Sequence, residues 1–246
     1  MERRKPPPAQ RKTDTVYLQV VCDYSWRGAK VARVSVLDKR SRDDPRRQAT
    51  EQAFLDATKS LLDDGAPFAD LNVSRIAERA GRTRTAFYTH FSDRRELLLA
   101  LLRDAGGDAI AALGPFLAGE GQIAHSEITT ATRALLENFH KHATLVRAVI
   151  EAASYDEQIG TQWSTIVRRI IDDAGLRLQT AGLSRDAAAP IATALVWMTE
   201  RTCYQQAVRN DTDLDDEQMI LGISNVWWNT IRGAAESGRP SAGEHR

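Results

Sequence analysis

The sequence contains very little cysteine and no long apolar run. Its two cysteines, Cys22 and Cys203, are separated by most of the chain, which argues against a disulfide scaffold and suits a reducing cytoplasm. No apolar segment approaches the roughly 18–20 residues that cross a bilayer. The N-terminal MERRKPPPAQRKTD precedes no apolar block of the kind that a signal peptide has. We therefore expect a cytoplasmic protein without a membrane partner.

Motifs for catalysis and cofactor binding are also missing. The sequence has no G-x-S-x-G, Walker or Rossmann pattern, and no cysteine–histidine arrangement suited to covalent catalysis. His140 and His142 diverge on a helix, and no carboxylate completes the spacing of an H-E-x-x-H zinc site. We expect no catalytic residues, no metal and no cofactor, and hence a binding protein and not an enzyme.

Acidic and basic residues balance over the chain, with 33 of each. The balance hides a split, because the chain through Arg103 carries 21 basic and 14 acidic residues and the remainder carries 12 and 19. A nucleic-acid-binding half joined to an acidic half shows this asymmetry. A basic tail is the other explanation, since residues 1–50 hold 13 basic and 6 acidic residues and residues 51–103 hold 8 of each.

The two ends of the chain differ in composition from its middle. Residues 1–44 begin with basic and proline-rich sequence, which predicts a flexible or loosely docked extension. Within it, VYLQVVC (16–22) and KVARVSVLD (30–38) are β-branched and partly alternating, so a hairpin is an alternative. A further hypothesis is that translation starts later, near Val36. Residues 236–246 are predicted to be a disordered polar tail.

From Asp44 onward the chain has helical periodicity. PRRQATEQAFLDATKSLLDDG (45–65) repeats apolar residues every three to four positions. The next segment, 71–81, opens with Asn72 as a predicted N-cap and closes with Gly81, and Thr83 is the predicted N-cap of the short helix after it. Ser92 or Asp93 is expected to cap the leucine-rich helix that follows.

Two short helices joined by a glycine-containing turn predict a helix-turn-helix, whose second helix enters the major groove of DNA. This helix would run from Arg84 to His90, with Phe87 and Phe91 facing the core at i, i+4 spacing. Arg84 is suited to bidentate binding of guanine, Thr85 to a base edge, and hydroxyl, imidazole and guanidinium groups nearby to phosphates. The predicted DNA-binding residues are Asn72, Thr83, Arg84, Thr85, Tyr88, Thr89, His90 and Arg94.

Residues 108–235 show no strand-like alternation and predict further helices. Their approximate bounds are 108–118, 124–141, 143–154, 156–182, 185–209 and 215–235. Four of the five tryptophans, Trp163, Trp197, Trp227 and Trp228, fall in this part. They predict either a pocket for an apolar ligand or a solid aromatic core. Because neighbours on a helix point about 100° apart, Trp227 and Trp228 are not expected to share one pocket.

The segment NVSRIAERAGRTRTAFYTHFSDRRELLLALL resembles the DNA-binding signature of the TetR family of transcriptional regulators, and the likeness extends over 46–102. Arg82 departs from the family pattern, which has an apolar residue at this position. The resemblance implies an all-α protein, TetR-like, with an N-terminal three-helix helix-turn-helix DNA-binding domain at 45–103 followed by a helical effector-binding and dimerisation domain at 104–235.

The C-terminal part resembles, more narrowly, the ethionamide-regulator (EthR-like) subgroup through RAVIEAASYDEQIGTQWSTIVRRII (147–171), ALVWMTERTCY (194–204) and NVWWNTIRG (225–233). The resemblance implies a homodimer formed by the last two helices, near-palindromic double-stranded operator DNA as partner, and an apolar small-molecule effector that releases a repressor. The alternative is an effector-independent DNA-binding protein with a tryptophan-rich core. The ligand-binding residues that the resemblance implies are Phe139, Trp163, Trp197, Thr199 and Trp227.

Overall fold

The computed structural model describes residues 45–237, and this part of the chain consists of helices without a strand. The predicted all-α class is therefore confirmed. The predicted hairpin, and residues 1–44 as a whole, lie outside the described residues. The nine α-helices of this range are α1 (Pro45–Asp63), α2 (Val73–Arg79), α3 (Arg84–His90), α4 (Arg94–Leu117), α5 (His125–Lys141), α6 (Ala143–Ala153), α7 (Glu157–Thr180), α8 (Arg185–Tyr204) and α9 (Asp216–Ser237).

The chain divides into two compact units. The first, which we call the head unit, runs up to Leu97 and also includes Ala148–Thr161 from the middle of the sequence. The second, the body unit, contains Leu98–Arg147 and continues from Gln162. Within residues 45–237, no helix is both long and apolar enough to cross a membrane.

Three phenylalanines form the centre of the head unit. The rings of Phe54 on α1 and Phe87 on α3 meet edge to face with centroids 5.3 Å apart, and Phe91 lies 5.5 Å from Phe87 and 6.4 Å from Phe54. All three side chains are buried. Edge-to-face and tilted ring pairs at these separations are favourable beyond the burial of their area. The short α3 is thereby fastened to α1, and the predicted inward orientation of Phe87 and Phe91 is confirmed.

The ends of the head helices follow the local signals in the sequence. Asn72 caps α2 by accepting a 3.0 Å hydrogen bond from the backbone N–H of Arg75, and Thr83 caps α3 by accepting a 3.1 Å bond from Ala86. Asp93, and not Ser92, caps α4, because its carboxylate accepts the N–H of Glu96 at 2.9 Å. These side-chain acceptors satisfy N–H groups that have no partner within the first turn of a helix.

Two predicted helices have other bounds in the structure. The sequence predicted a break near residue 108, after the Gly106–Gly107 pair, but α4 continues to Leu117. A Cβ on Gly106 would lie 2.6 Å from the Cδ1 of Ile166, so this glycine permits close approach of α7 and does not end the helix. Pro115 lies in the last turn of α4, where the helix is about to end.

The predicted helix at 185–209 also differs, because α8 ends at Tyr204 and Gln205–Arg209 form a π-helical turn.

The body unit contains a fully buried arginine, Arg177 on α7. Its side chain is 1% exposed and donates hydrogen bonds to the carbonyl of Phe116 at 3.2 Å and to that of Gly121 at 2.8 Å. The guanidinium also lies 5.9 Å from the centroid of the Phe116 ring, and Glu127 stands 3.8 Å away. The turn between α4 and α5 is therefore organised around one cation.

We expect Arg177→Leu to lower the free energy of unfolding by roughly 2–4 kcal/mol, because the buried carbonyl of Phe116 and the partly buried carbonyl of Gly121 lose their donor. Each unsatisfied buried group costs about 1–3 kcal/mol. Urea unfolding of the full chain measures this. Arg169→Leu is the control, since Arg169 is 66% exposed on the same helix and an exposed substitution changes stability by under about 0.5 kcal/mol. Equal effects of the two substitutions would contradict the structural role of Arg177.

Candidate nucleic-acid interface

Helix α3 presents two chemically different faces. Phe87 is 0% exposed at the core, whereas Tyr88 is 53% exposed. Arg84, Thr85 and Thr89 are exposed with Tyr88. The helix begins at Arg84 directly after its Thr83 cap, so that the polar groups follow one another along its outer side. A short rigid helix with this outer face suits direct reading of base edges in a groove about 12 Å wide.

Contacts within the helix determine which polar groups remain available. The hydroxyl of Thr89 donates to the carbonyl of Thr85 at 3.1 Å, and the hydroxyl of Thr83 accepts from Ala86. Thr83 therefore keeps its own O–H as a donor. The ring of Tyr88 rests edge-on against Phe87, with centroids 5.6 Å apart, which orients its phenol outward. The hydroxyls of Thr83 and Tyr88 and the guanidinium of Arg84 are thus exposed on a helix that is packed against the core.

His90 lies apart from this outer face, and the phosphate contact predicted for it stays a prediction. Its side chain is only 6% exposed, and its ring centroid lies 6.2 Å from that of Phe54. Its Nδ1 stands 3.9 Å from a carboxylate oxygen of Glu51 and makes no hydrogen bond with any residue that the structure describes. Burial and the positive charge of Arg47 lower the pKa of His90, although Glu51 opposes them. The imidazole is therefore a packing group of the head unit.

Arg94 is also placed differently from the prediction. Its Nη1 donates to the backbone carbonyls of Ala69 and Leu71, both at 2.7 Å, and of Phe68 at 3.2 Å. Its guanidinium lies 5.4 Å from the centroid of the Phe68 ring. Because one nitrogen serves three carbonyls, Arg94 fastens the start of α4 to the segment between α1 and α2. Its Nη1 thereby positions that segment, and the phosphate contact predicted for Arg94 stays a prediction.

Sequence reasoning missed an ion pair in the head unit. Arg95, which reads as a solvated charge in the sequence, pairs through its Nε with the carboxylate of Asp156 and reaches Gln158 through Nη1 at 3.4 Å. The hydrogen bond that Arg95 donates to the Asp156 carboxylate raises the pKa of Arg95. The partners are 61 positions apart, and no local pattern announces such a pair. It links the start of α4 to the turn between α6 and α7.

Four of the five predicted ligand-binding residues are buried in the body unit. Phe139, Trp163, Thr199 and Trp227 are each at most 8% exposed, whereas Trp197 is partly exposed.

Two of these residues satisfy each other, because Trp227 Nε1 donates to Thr199 Oγ1 at 2.8 Å. By contrast, the buried Nε1 of Trp163 has no partner in residues 45–237. Trp228 is partly exposed and its ring lies 5.9 Å from that of His125. It therefore differs in environment from the buried Trp227, as helical geometry predicts for neighbours.

We expect the head unit to lose stability as the pH falls below about 6.5, the ordinary pKa of histidine. Because the pKa of His90 is lowered in the folded state, the unfolded chain binds a proton more readily, and acid favours unfolding. The melting temperature of the wild type and of His90→Gln between about pH 7.5 and 5.5 measures this. The variant should show the smaller decrease, and an identical decrease in both proteins would contradict the assignment.

Comparison with known proteins finds family matches in two parts of the chain. Residues 54–101 match the family described as bacterial regulatory proteins, tetR family, and residues 128–233 match the C-terminal domain of transcriptional regulator EthR. The HTH-type transcriptional regulator EthR of Mycobacterium tuberculosis is 26% identical over 216 residues, which cover 84% of this chain and 93% of that protein. EthR of Mycolicibacterium smegmatis is 27% identical over 199 residues, covering 76% and 88%.

Solved structures share the fold. A TetR-like transcriptional regulator from Rhodococcus sp. RHA1 has a TM-score of 0.59 at 20% identity, over 75% of this chain and 96% of that one. A transcriptional regulator described as putative, from Pseudomonas aeruginosa, has a TM-score of 0.61 at 17% identity, over 81% and 97%. With the family matches at both ends of the chain, these findings show that the protein belongs to the TetR family of DNA-binding transcriptional regulators, which are not enzymes, and carries an EthR-type C-terminal domain.

Proposed function

We propose that this TetR-family regulator is a repressor that binds a near-palindromic operator as a homodimer and is released by an apolar small molecule. The observation that carries the DNA-binding part is the outer face of α3, where Arg84, Thr85 and Tyr88 are exposed on a helix held from behind by buried Phe87. In this proposal 45–103 recognise DNA and 104–235 bind the effector and the second subunit.

In the proposed complex each subunit places α3 in a major groove. Arg84 reads guanine through two hydrogen bonds, Thr85 contacts a neighbouring base edge, and Tyr88 with the hydroxyl of Thr83 donates to phosphates. Two-fold symmetry then sets half-sites about 34–36 Å apart, or somewhat more, along the duplex. Only the side-chain oxygen of Asn72 is used in the cap of α2. Its amide N–H groups therefore remain available to donate to the DNA phosphates.

The second subunit is proposed to pack on α8 and α9. Leu221 and Val226 on α9 are 49% and 45% exposed, and Trp197 on α8 is partly exposed. Exposed apolar side chains on the last long helices are what an isologous interface would cover. TetR-family regulators are homodimers, which favours a second copy of this chain as the occupant.

The effector proposal is supported by the Trp163 indole. A buried N–H without a partner among the described residues costs free energy, and such groups are rare in native structures. A carbonyl or ether oxygen of a bound apolar molecule would satisfy it. Thr199 and Trp227 already bond to each other, so in this arrangement Trp163 is the donor that faces a ligand.

Release from DNA then follows from differential affinity. An effector that binds better to a conformation whose recognition helices no longer match successive grooves shifts the population away from the DNA-bound form. The alternative is an effector-independent DNA-binding protein, and it is favoured by the burial of Phe139, Trp163, Thr199 and Trp227 by protein alone. Ligand titration separates the two.

We expect Arg84→Ala to weaken binding to a selected operator duplex by about 1–3 kcal/mol and to relax the base preference at one position of each half-site. Electrophoretic mobility shifts on single-base operator variants measure both effects. Arg84→Lys keeps the charge but loses the bidentate geometry, so it should retain affinity for random DNA better than it retains base preference. Full selectivity in Arg84→Ala would contradict the proposed contact.

We expect apolar compounds that carry a carbonyl group to quench or shift tryptophan fluorescence and to release the operator. Trp163→Phe should weaken the response to such compounds by roughly fivefold to tenfold, as the loss of one hydrogen bond of about 1–1.5 kcal/mol implies. Hydrocarbons of matched size are the control, and their effect should be nearly unchanged. If no member of a broad apolar library changes either signal in the wild type, the effector-independent alternative holds.

A further inference from the structure

The turn before α3 contains an arginine at a position that favours an apolar residue. Gly81, with φ +60°, donates to the carbonyl of Glu78 at 3.1 Å, and Arg82 donates to that of Ala77 at 2.9 Å. These two bonds define a Schellman motif that ends α2. In such a motif the residue after the glycine usually makes an apolar contact with the residue whose carbonyl it bonds. That residue is Arg82, and its counterpart is the buried Ala77.

The chain itself provides two comparisons. The same pair of bonds follows α1 at Gly65, where the residue after the glycine is Ala66, and follows α7 at Gly182, where it is Leu183. Leu183 is 6% exposed, and Leu178, whose carbonyl it bonds, is fully buried. Ala66 and Leu183 thus satisfy the apolar preference of the motif, and Arg82 does not.

The Arg82 side chain has little to hold it on the protein. It is exposed, and its one described hydrogen bond runs from Nη1 to the carbonyl of Gly81 at 3.3 Å. Arg79, only three positions earlier, is engaged at short distances by Asp64 at 2.7 Å and Ser60 at 2.6 Å. Neither the packing of the turn nor an ion pair among residues 45–237 accounts for an arginine at position 82.

We propose that Arg82 is a DNA phosphate contact, which adds sequence-independent affinity at the edge of the recognition helix. This inference rests on the proposed DNA-binding function of α3. In a helix-turn-helix the first helix crosses the DNA backbone while the start of the second meets the bases. Arg82 stands between them, and its own N–H ties it to the end of α2. In the proposed complex Arg82 is therefore closer than Thr83 to the helix that crosses the DNA backbone.

The chemistry of the side chain fits this role. A guanidinium presents two parallel N–H donors to phosphate oxygens and is always charged. Residues 51–103 carry equal numbers of acidic and basic residues, so this segment supplies no net attraction to DNA. Individually placed cations must then supply the phosphate contacts within it. Residues that depart from the local preferences of a structural motif are expected at functional sites. Arg82 departs from the preference of the Schellman motif for an apolar residue, which favours a functional role for it.

The test uses the full-length protein in four forms: wild type, Arg82→Val, Arg82→Lys and the control Arg169→Val. Arg82→Val removes the charge and restores an apolar residue to the motif, whereas Arg82→Lys keeps the charge. Arg169→Val removes another exposed positive charge, from α7, outside the helix-turn-helix. The DNA probes are the tightest duplex selected by the wild type from a random library and one mixed-sequence duplex. Affinities are measured between about 50 and 200 mM salt.

For Arg82→Val we expect weaker binding to both duplexes by similar factors, with base preference and melting temperature retained or raised. The slope of log affinity against log salt should become less steep by about 0.9 for each phosphate that is no longer neutralised, hence by about 1.8 for a dimer. Arg82→Lys and Arg169→Val should keep the wild-type slope.

The remaining outcomes overturn the proposal. An unchanged slope and affinity in Arg82→Val exclude a phosphate contact. A loss confined to the selected duplex with an unchanged slope identifies a base contact instead. A lowered melting temperature that accompanies the loss of binding identifies a purely structural role. If the wild type selects no duplex and binds none, the proposed DNA-binding function fails first, and this outcome is distinct from all the others.

Discussion

The packing of Phe54, Phe87 and Phe91 is the interaction on which the DNA-binding part of this regulator depends. A helix of seven residues is too short to be stable in water by itself, so α3 exists because its apolar side is buried. Loss of one such ring costs roughly 3–5 kcal/mol in a well-packed core. The orientation of the outer polar groups follows from these rings, since each of them lies within a few positions of a buried phenylalanine. Recognition of DNA is therefore a property of the aromatic core as much as of the surface.

Features that depend on neighbouring residues in the chain could be predicted from the sequence. The helical class, the caps Asn72 and Thr83, the end of α2 at Gly81 and the inward direction of Phe87 were all predicted correctly, because each depends on residues within about four positions. Hydrogen bonds at helix ends and apolar repeats are local signals. The family resemblance added the assignment to TetR regulators, which the family matches confirm.

Features that depend on distant residues could not be predicted. Arg94, His90 and Arg95 all carry polar groups near the recognition helix, and nothing in their immediate sequence distinguishes a DNA contact from an internal one. Their contacts in the structure are with carbonyls at 68–71, with the ring of Phe54 and with Asp156. The glycine at 106 likewise fits a distant residue, because a Cβ there would lie 2.6 Å from the Cδ1 of Ile166 on another helix, and α4 continues through it. Long-range packing overrides a local helix-breaking signal in that case.

The inclusion of Ala148–Thr161 in the head unit affects how this regulator can be recombined with others. A DNA-binding module transferred as one contiguous N-terminal piece would leave Asp156 behind and deprive Arg95 of its carboxylate. A chimera that keeps this ion pair must therefore import the turn between α6 and α7 together with the chain up to Leu97, or supply a substitute acid there. Exchange of modules between relatives at a single crossover would separate the two partners of this ion pair.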